Sequence, residues 1–138
     1  MRVVADTNVL VSAFLWTGPP HRLLTAAERG RLTLYTSPVL IEELADVLAR
    51  RKFAPRLRAL EVTVEELVVG YLKLARLLVP QPIPPVIKED PEDDHVLACA
   101  LAAQASYLVT GDPHLLHLTS YRTVPIVSPR TFVSAVLR

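Results

Sequence analysis

The chain opens with MRVVADTNVLVSAFL, residues 1–15, and this stretch decides the fold. Residues 2–5 are a short run rich in β-branched side chains, which predicts a buried strand. Asp6 follows at once, and the apolar residues 9–15 predict a helix. A carboxylate therefore stands at the carboxyl end of the first strand, where ligands bind in open α/β sheets. Asp6 is also a good N-cap, and from this stretch alone the capping role is favoured.

Composition indicates one globular domain spanning residues 1–138. Hydrophobic residues make up 51% and charged residues 21%, which excludes a disordered chain. The net charge is only +1, so any nucleic-acid binding must come from a local patch. The single cysteine, Cys99, excludes an internal disulfide and suits a reducing cytosol. With no signal-peptide pattern and no apolar stretch fit to cross a bilayer, we expect a cytoplasmic protein without membrane contact.

Strands alternate with helices along the rest of the chain. Further strands are predicted at residues 32–36, 107–110 and 124–127, the last at a sheet edge because it contains a proline. The predicted helices are 21–29, 38–52, 64–78, 91–104 and 129 to the C-terminus, with a break at Pro55. This pattern predicts a mainly parallel sheet covered on both faces. The glycine-rich nucleotide-binding motifs are absent from the sequence.

Two more carboxylates resemble Asp6 in their placement. Asp112 follows the strand 107–110 after a small residue, although it can also cap a helix at Pro113. Glu43 lies at the border of the apolar stripe of the helix that Ser37 caps. It can therefore reach over the edge of the sheet, or be an ordinary boundary residue.

The acidic run of residues 90–94 offers a fourth carboxylate. Helical phase allows both Asp93 and Asp94 to lie beside the apolar face of the helix. With Asp90 as N-cap, Asp93 falls at the third helical position, where an acid can reach back to the cap. This capping role leaves Asp94 as the favoured functional residue.

Carboxylates that lie close together in one crevice repel one another, by roughly a few kcal/mol for each close pair. A divalent cation relieves that repulsion, and oxygen ligands alone favour Mg²⁺ or Mn²⁺ over zinc.

Taken in order, these motifs resemble those of the PIN domain, in particular of VapC-like toxins of toxin–antitoxin pairs. The resemblance rests on residues 6–12, Ser37-Pro38 with Glu43-Leu44, residues 90–94 and residues 108–112. It implies a three-layer α/β/α sandwich and a Mg²⁺- or Mn²⁺-dependent ribonuclease. Its acidic site would be Asp6, Glu43, Asp94 and Asp112, with Asn8, Ser37 and Thr110 around it. It further implies a homodimer and an antitoxin partner.

One or two divalent ions can activate water and stabilise a phosphodiester during hydrolysis. We expect Asp6, Asp94 and Asp112 to bind metal, and Glu43 to bind a second ion or orient the attacking water.

RNA would contact the basic residues Arg50, Arg51, Lys52, Arg56 and Arg58, which otherwise simply complement a helix dipole. Trp16 is a candidate stacking ring, although a core or interface position is the commoner reason for such a residue. His95 is more typical of a surface residue than of a catalytic base.

Two other function classes fit parts of the pattern. The first is a catalytically weak PIN-like module that binds nucleic acid or a partner, which four occupied acidic positions argue against. The second is a phosphoacceptor domain similar to response regulators, which requires a lysine at the end of a late strand. No lysine follows Asp112.

Overall fold

The computed structural model describes residues 1–88, 90 and 93–137. Its sheet has six strands in the order β3-β2-β1-β4-β6-β5. The strands are Arg2–Ala5 (β1), Thr33–Thr36 (β2), Arg76–Leu77 (β3), Tyr107–Val109 (β4), Ser120–Tyr121 (β5) and Val124–Val127 (β6). All neighbours pair in parallel except β5, which runs antiparallel to β6. The predicted, mainly parallel sheet is confirmed.

Eight α-helices surround the sheet in the described residues. They are Thr7–Leu15 (α1), Pro19–Glu28 (α2), Pro38–Leu48 (α3), Ala54–Leu60 (α4), Val64–Leu74 (α5), Asp93–Ala102 (α6), Pro113–Leu118 (α7) and Pro129–Ala135 (α8). None of these helices has the length and apolar character that crossing a bilayer requires.

Side chains of the central strands alternate between two hydrophobic cores. In β1, Val3 and Ala5 enter a core shared with α1, α2, α5 and α8, whereas Val4 enters a core shared with α6 and α7. The period of two in a strand sends successive side chains to opposite faces of the sheet. Helices therefore cover both faces, which is the three-layer α/β/α sandwich that the sequence resemblance implied.

The local signals at helix starts are confirmed. Ser37 caps α3, and its Oγ accepts a hydrogen bond from the backbone N–H of Leu40 at 3.3 Å. Thr63 and Glu66 form a reciprocal capping box at the start of α5. Gly30 has a φ of +74°, which suits its predicted place just after α2. The predicted helix start at Pro91 lies outside the described residues.

The predicted helix 38–52 was too long. α3 ends at Leu48, and a 3₁₀ turn, Arg51–Phe53, leads directly into α4. Pro55 was taken as a break, but it lies in the first turn of α4. A proline is tolerated there because its missing N–H has no partner in a helix start anyway.

Three short elements at the ends of the sheet were missed, and one strand was misplaced. Helix α5 stops at Leu74 instead of residue 78, and Arg76–Leu77 pairs with β2 as the strand β3. The prediction that residues 124–127 form an edge strand was wrong, since β5 covers the outer side of β6. Helix α7 was also not predicted. Elements this short carry too few residues for periodicity to reveal them.

Candidate metal centre

The carboxyl ends of β1 and β4 bring the first polar residues together. The two strands pair with Ala5 opposite Val109, so Asp6 and Thr110 follow as neighbours at the same edge of the sheet. Asp112 comes two residues after Thr110 and is the N-cap of α7. Strand pairing alone therefore places both strand-end carboxylates near one another.

Thr110 connects these two carboxylate positions. It is fully buried, and its hydroxyl donates a hydrogen bond to Oδ2 of Asp6. The Oγ1 of Thr110 in turn accepts a hydrogen bond from the backbone N–H of Asp112 at 3.0 Å. Oδ1 of Asp6 accepts from the N–H of Val9 at 3.0 Å, so Asp6 both caps α1 and belongs to the site. The two roles considered for Asp6 are therefore compatible.

Asp93 supplies a third carboxylate from α6. Oδ2 of Asp93 is buried and has no hydrogen-bond partner within the described part of the chain. Carboxylate oxygens of Asp93 and Asp112 lie within 4.8 Å of each other and of a ring nitrogen of His114. An unpartnered buried oxygen beside a second carboxylate is a costly arrangement unless a proton or a cation is shared between them.

Asp94, which the capping argument favoured over Asp93, does not lie in this cluster in the described part of the chain. Asp94 is turned to the preceding loop, where its carboxylate accepts the backbone N–H of Val86 at 3.2 Å and that of Ile87 at 3.0 Å. Loop N–H groups need acceptors, and Asp94 supplies them. Asp94 thus has a structural role in holding this loop, and Asp93 is the one of the two that lines the crevice described below.

Together these residues line a crevice of about 60 Å³, called the acidic crevice below. Its lining residues are Asp6, Thr7, Asn8, Leu40, Glu43, Asp90, Asp93, Val96 and Asp112. Glu43 reaches it from α3, which is one of the two alternatives that its position at the border of the apolar stripe left open. Asn8 is exposed at its rim, and Ser37 contributes indirectly by capping α3.

Two residues of the site were not among the predicted ones. Asp90 lines the crevice, although the sequence suggested only a capping role for it. His114 has its Nδ1 3.7 Å from Oδ1 of Asp112, and its backbone N–H donates to that same oxygen at 2.8 Å. The spacing of Asp112 and His114, at i and i+2 around Pro113, was the available signal. His95 is exposed and lies with Glu43 in a neighbouring cleft.

The electrostatics of the crevice reflect crowded negative charge. Burial raises the pKa of Asp6 above its ordinary value, although the hydrogen bond from Thr110 opposes this. Burial, followed by the proximity of Asp112, Asp90 and Asp6, raises the pKa of Asp93 to about 7. Both shifts mean that the fully ionised crevice is unfavourable by itself. A bound divalent cation would reverse this penalty.

The residues present fit such a cation. The crevice is lined by carboxylates from four separate elements, namely Asp6, Glu43, Asp93 and Asp112, and Oδ2 of Asp93 has no hydrogen-bond partner in the described residues. Oxygen ligands of this kind suit Mg²⁺ and Mn²⁺.

A larger cleft of about 570 Å³ adjoins the acidic crevice and shares Asn8, Asp90 and Asp112 with it. From there it extends along α1 past Ser12 to Pro20. A groove that leaves the acidic residues in this way has room for a ligand much larger than a metal ion.

In open parallel α/β sheets ligands bind at the carboxyl ends of the strands, which is where the carboxylates of this protein gather. The family model described as PIN domain matches residues 2–114 of the chain. The chain therefore belongs to the PIN domain family, whose members are generally metal-dependent nucleases. Among proteins of curated function, none matches this chain.

Proposed function

We propose that this protein is a Mg²⁺- or Mn²⁺-dependent endoribonuclease that hydrolyses phosphodiester bonds of single-stranded or structured RNA. The observation that carries the proposal is the meeting of Asp6, Asp93 and Asp112 in one crevice, with Oδ2 of Asp93 buried and unpartnered in the described residues. Family membership supports the nuclease chemistry.

Asp6, Asp93 and Asp112 would hold the metal, and Glu43 is placed to hold a second ion or to orient the attacking water. When bound, divalent ions activate water and stabilise the charge that develops on the phosphate. Thr110 positions Asp6 through its hydroxyl, and the start of α1 fixes the other oxygen of the same carboxylate. The carboxylate of Glu43 can accept the proton of a water held at the crevice.

The RNA backbone would be held by the basic segment, defined as residues 50–58. It contains Arg50, Arg51, Lys52, Arg56 and Arg58 and no acidic residue. Arg50 lines a cleft together with Glu43, which connects the segment to the acidic crevice. Phosphate contacts of this type contribute sequence-independent affinity and make binding sensitive to salt.

The motif resemblance to VapC-like proteins supports a role as the toxin of a toxin–antitoxin pair, acting in the cytoplasm as a homodimer. Exposed apolar side chains at Val69, Leu72, Leu77 and Val79 are consistent with a self-interface. Induced expression should then arrest bacterial growth with the wild-type chain and not with Asp6→Asn. Growth that continues at equal protein levels would argue against the toxin role.

The direct test is cleavage of a panel of single-stranded and structured RNAs in Mn²⁺, Mg²⁺ or EDTA. Wild-type protein should cut only with metal, and Asp6→Asn should not cut. Glu65→Gln is the control, because Glu65 is an exposed carboxylate outside both the acidic crevice and the adjoining cleft. RNA binding without cleavage in Mn²⁺ would instead favour a binding module. No cleavage and no Mn²⁺ binding would refute the metal centre.

A further inference from the structure

Trp16 stands at the end of α1 that is remote from the acidic crevice. It is 44% exposed, although it is the only tryptophan in the chain. Asp6 precedes α1 and Trp16 follows it, so about 15 Å separates the two at the usual helical rise. An exposed large aromatic residue at this distance from the carboxylates is not explained by the core or by the metal centre.

The ring of Trp16 is held by two neighbours from the chain that follows α3. Phe53 meets it edge to face, with ring centroids 6.0 Å apart. The Arg56 guanidinium lies 5.9 Å from the ring centroid, and its Nε donates to the carbonyl of Leu15 at 2.6 Å. Trp16, Phe53 and Arg56, called the Trp16 cluster, therefore form a pre-ordered aromatic surface anchored to the end of α1.

Charge complementarity indicates what this surface would bind. The Trp16 cluster includes two residues of the basic segment, whose five cations are uninterrupted by an acid. Lys52 adds its ammonium 5.1 Å from the Phe53 ring centroid. Aromatic rings interleaved with cations suit single-stranded nucleic acid, because every base has a face that can stack and every nucleotide carries a phosphate. A neutral apolar partner would leave these cations without counter-charges.

The large cleft supplies a route between the two ends. Its lining includes Asp90 and Asp112 at the crevice, Ser12 on α1, and Pro20 in the first turn of α2, four residues after Trp16. Stacked nucleotides about 3.4 Å apart would cover the length of α1 in about four steps. One strand can thus reach both the carboxylates and the tryptophan.

We propose that the Trp16 cluster is a base-stacking subsite for single-stranded RNA, about four nucleotides from the scissile phosphate. This inference rests on the proposed ribonuclease function and adds to it a fixed anchor for the substrate strand. Because the anchor is separated from the carboxylates, RNA binding at Trp16 needs no metal.

Tryptophan fluorescence tests the proposal directly, because Trp16 is the only tryptophan of the chain and can be excited selectively over its tyrosines. In EDTA, so that no cleavage occurs, an RNA of about eight nucleotides should quench the emission, and an abasic strand of equal length should not. A strand of about three nucleotides should also quench the emission, because it can stack on Trp16 without reaching the carboxylates.

Variants separate stacking from folding. Trp16→Ala should weaken RNA binding, measured by the anisotropy of labelled RNA, by about 5- to 150-fold, and Trp16→Phe should restore most of it. Tyr121→Ala is the matched control, since Tyr121 also pairs with an arginine, 5.5 Å from Arg122. Circular dichroism of each variant checks that the fold is retained.

Other outcomes overturn the inference in distinguishable ways. If RNA binds with unchanged Trp16 emission and Trp16→Ala binds equally well, the subsite is refuted while the nuclease proposal stands. If emission responds only to protein concentration, together with dimer formation in sedimentation, the surface is a contact between copies of the chain. If RNA neither binds nor is cut in Mn²⁺, the inference and the proposed function both fail.

Discussion

The hydroxyl of Thr110 donates to Oδ2 of Asp6 and accepts the backbone N–H of Asp112. One buried oxygen thereby joins the ends of two neighbouring strands and sets the positions of two carboxylates. Residues that orient metal ligands in this way commonly affect metal affinity almost as strongly as the ligands themselves.

Replacing Thr110 by valine should therefore damage both stability and metal binding. Valine keeps the shape of the side chain but cannot donate to Asp6, and it leaves the backbone N–H of Asp112 without an acceptor. The free energy of unfolding measured in urea should therefore fall by about 1–3 kcal/mol. Calorimetric Mn²⁺ affinity should fall about 10- to 100-fold. Thr110→Ser keeps the hydroxyl and should behave nearly as wild type. Equal affinity in the valine and serine variants would contradict the bridging role.

Asp93 and Asp94 provide a pair of adjacent residues with different expected effects. Asp93→Asn should abolish metal-dependent RNA cleavage and weaken Mn²⁺ binding, because the crevice loses a ligand. Asp94→Asn should keep Mn²⁺ binding and lower the melting temperature, since Asp94 accepts the N–H groups of Val86 and Ile87. If Asp94→Asn loses Mn²⁺ binding and Asp93→Asn keeps it, Asp94 rather than Asp93 binds the metal.

The pH dependence of the metal-free protein should report the raised pKa of Asp93. Its folded value is about 7 and its ordinary value is 3.8, so the folded state binds the extra proton between them. The protonated Asp93 carboxyl contributes fully to the free energy of unfolding below its ordinary pKa. That contribution is lost as pH rises through its folded pKa of about 7. Asp93→Asn should therefore gain stability relative to wild type as pH rises from about 4 to about 7 in thermal unfolding with EDTA. A pH-independent difference would show that the shift is absent.

His114 should influence which cation the crevice prefers. Its Nδ1 lies beside Asp112, and imidazole nitrogen suits transition metals better than Mg²⁺. His114→Ala should weaken Mn²⁺ binding by about tenfold and leave Mg²⁺ binding almost unchanged in calorimetry. His117→Ala is the control, being an exposed histidine of the same helix. If both variants bind Mn²⁺ alike, His114 makes only a surface contact with Asp112.

Much of the fold and part of the site followed from local patterns. The apolar strand before Asp6, the similar strand before Asp112 and the capped start of α3 were all recognised from residue types that act within a few positions. Parallel pairing then brings the strand ends before Asp6 and Asp112 to one edge of the sheet, where both residues line one crevice with Glu43 of α3. The short elements β3, β5 and α7 escaped prediction because pairing and packing, rather than their own sequence, stabilise them.

The choice between Asp93 and Asp94 shows what the sequence by itself could not determine. Both residues have suitable helical phase, and capping rules consider only neighbours along the chain. The decision came from the loop before α6, whose N–H groups at Val86 and Ile87 take Asp94 as their acceptor and leave Asp93 to the crevice. Likewise, the sequence determined that Trp16 ends the first helix, but only the packing of Phe53 and Arg56 against it made a surface. Sequence determines what each residue can bond locally, and tertiary structure decides which distant group takes the bond.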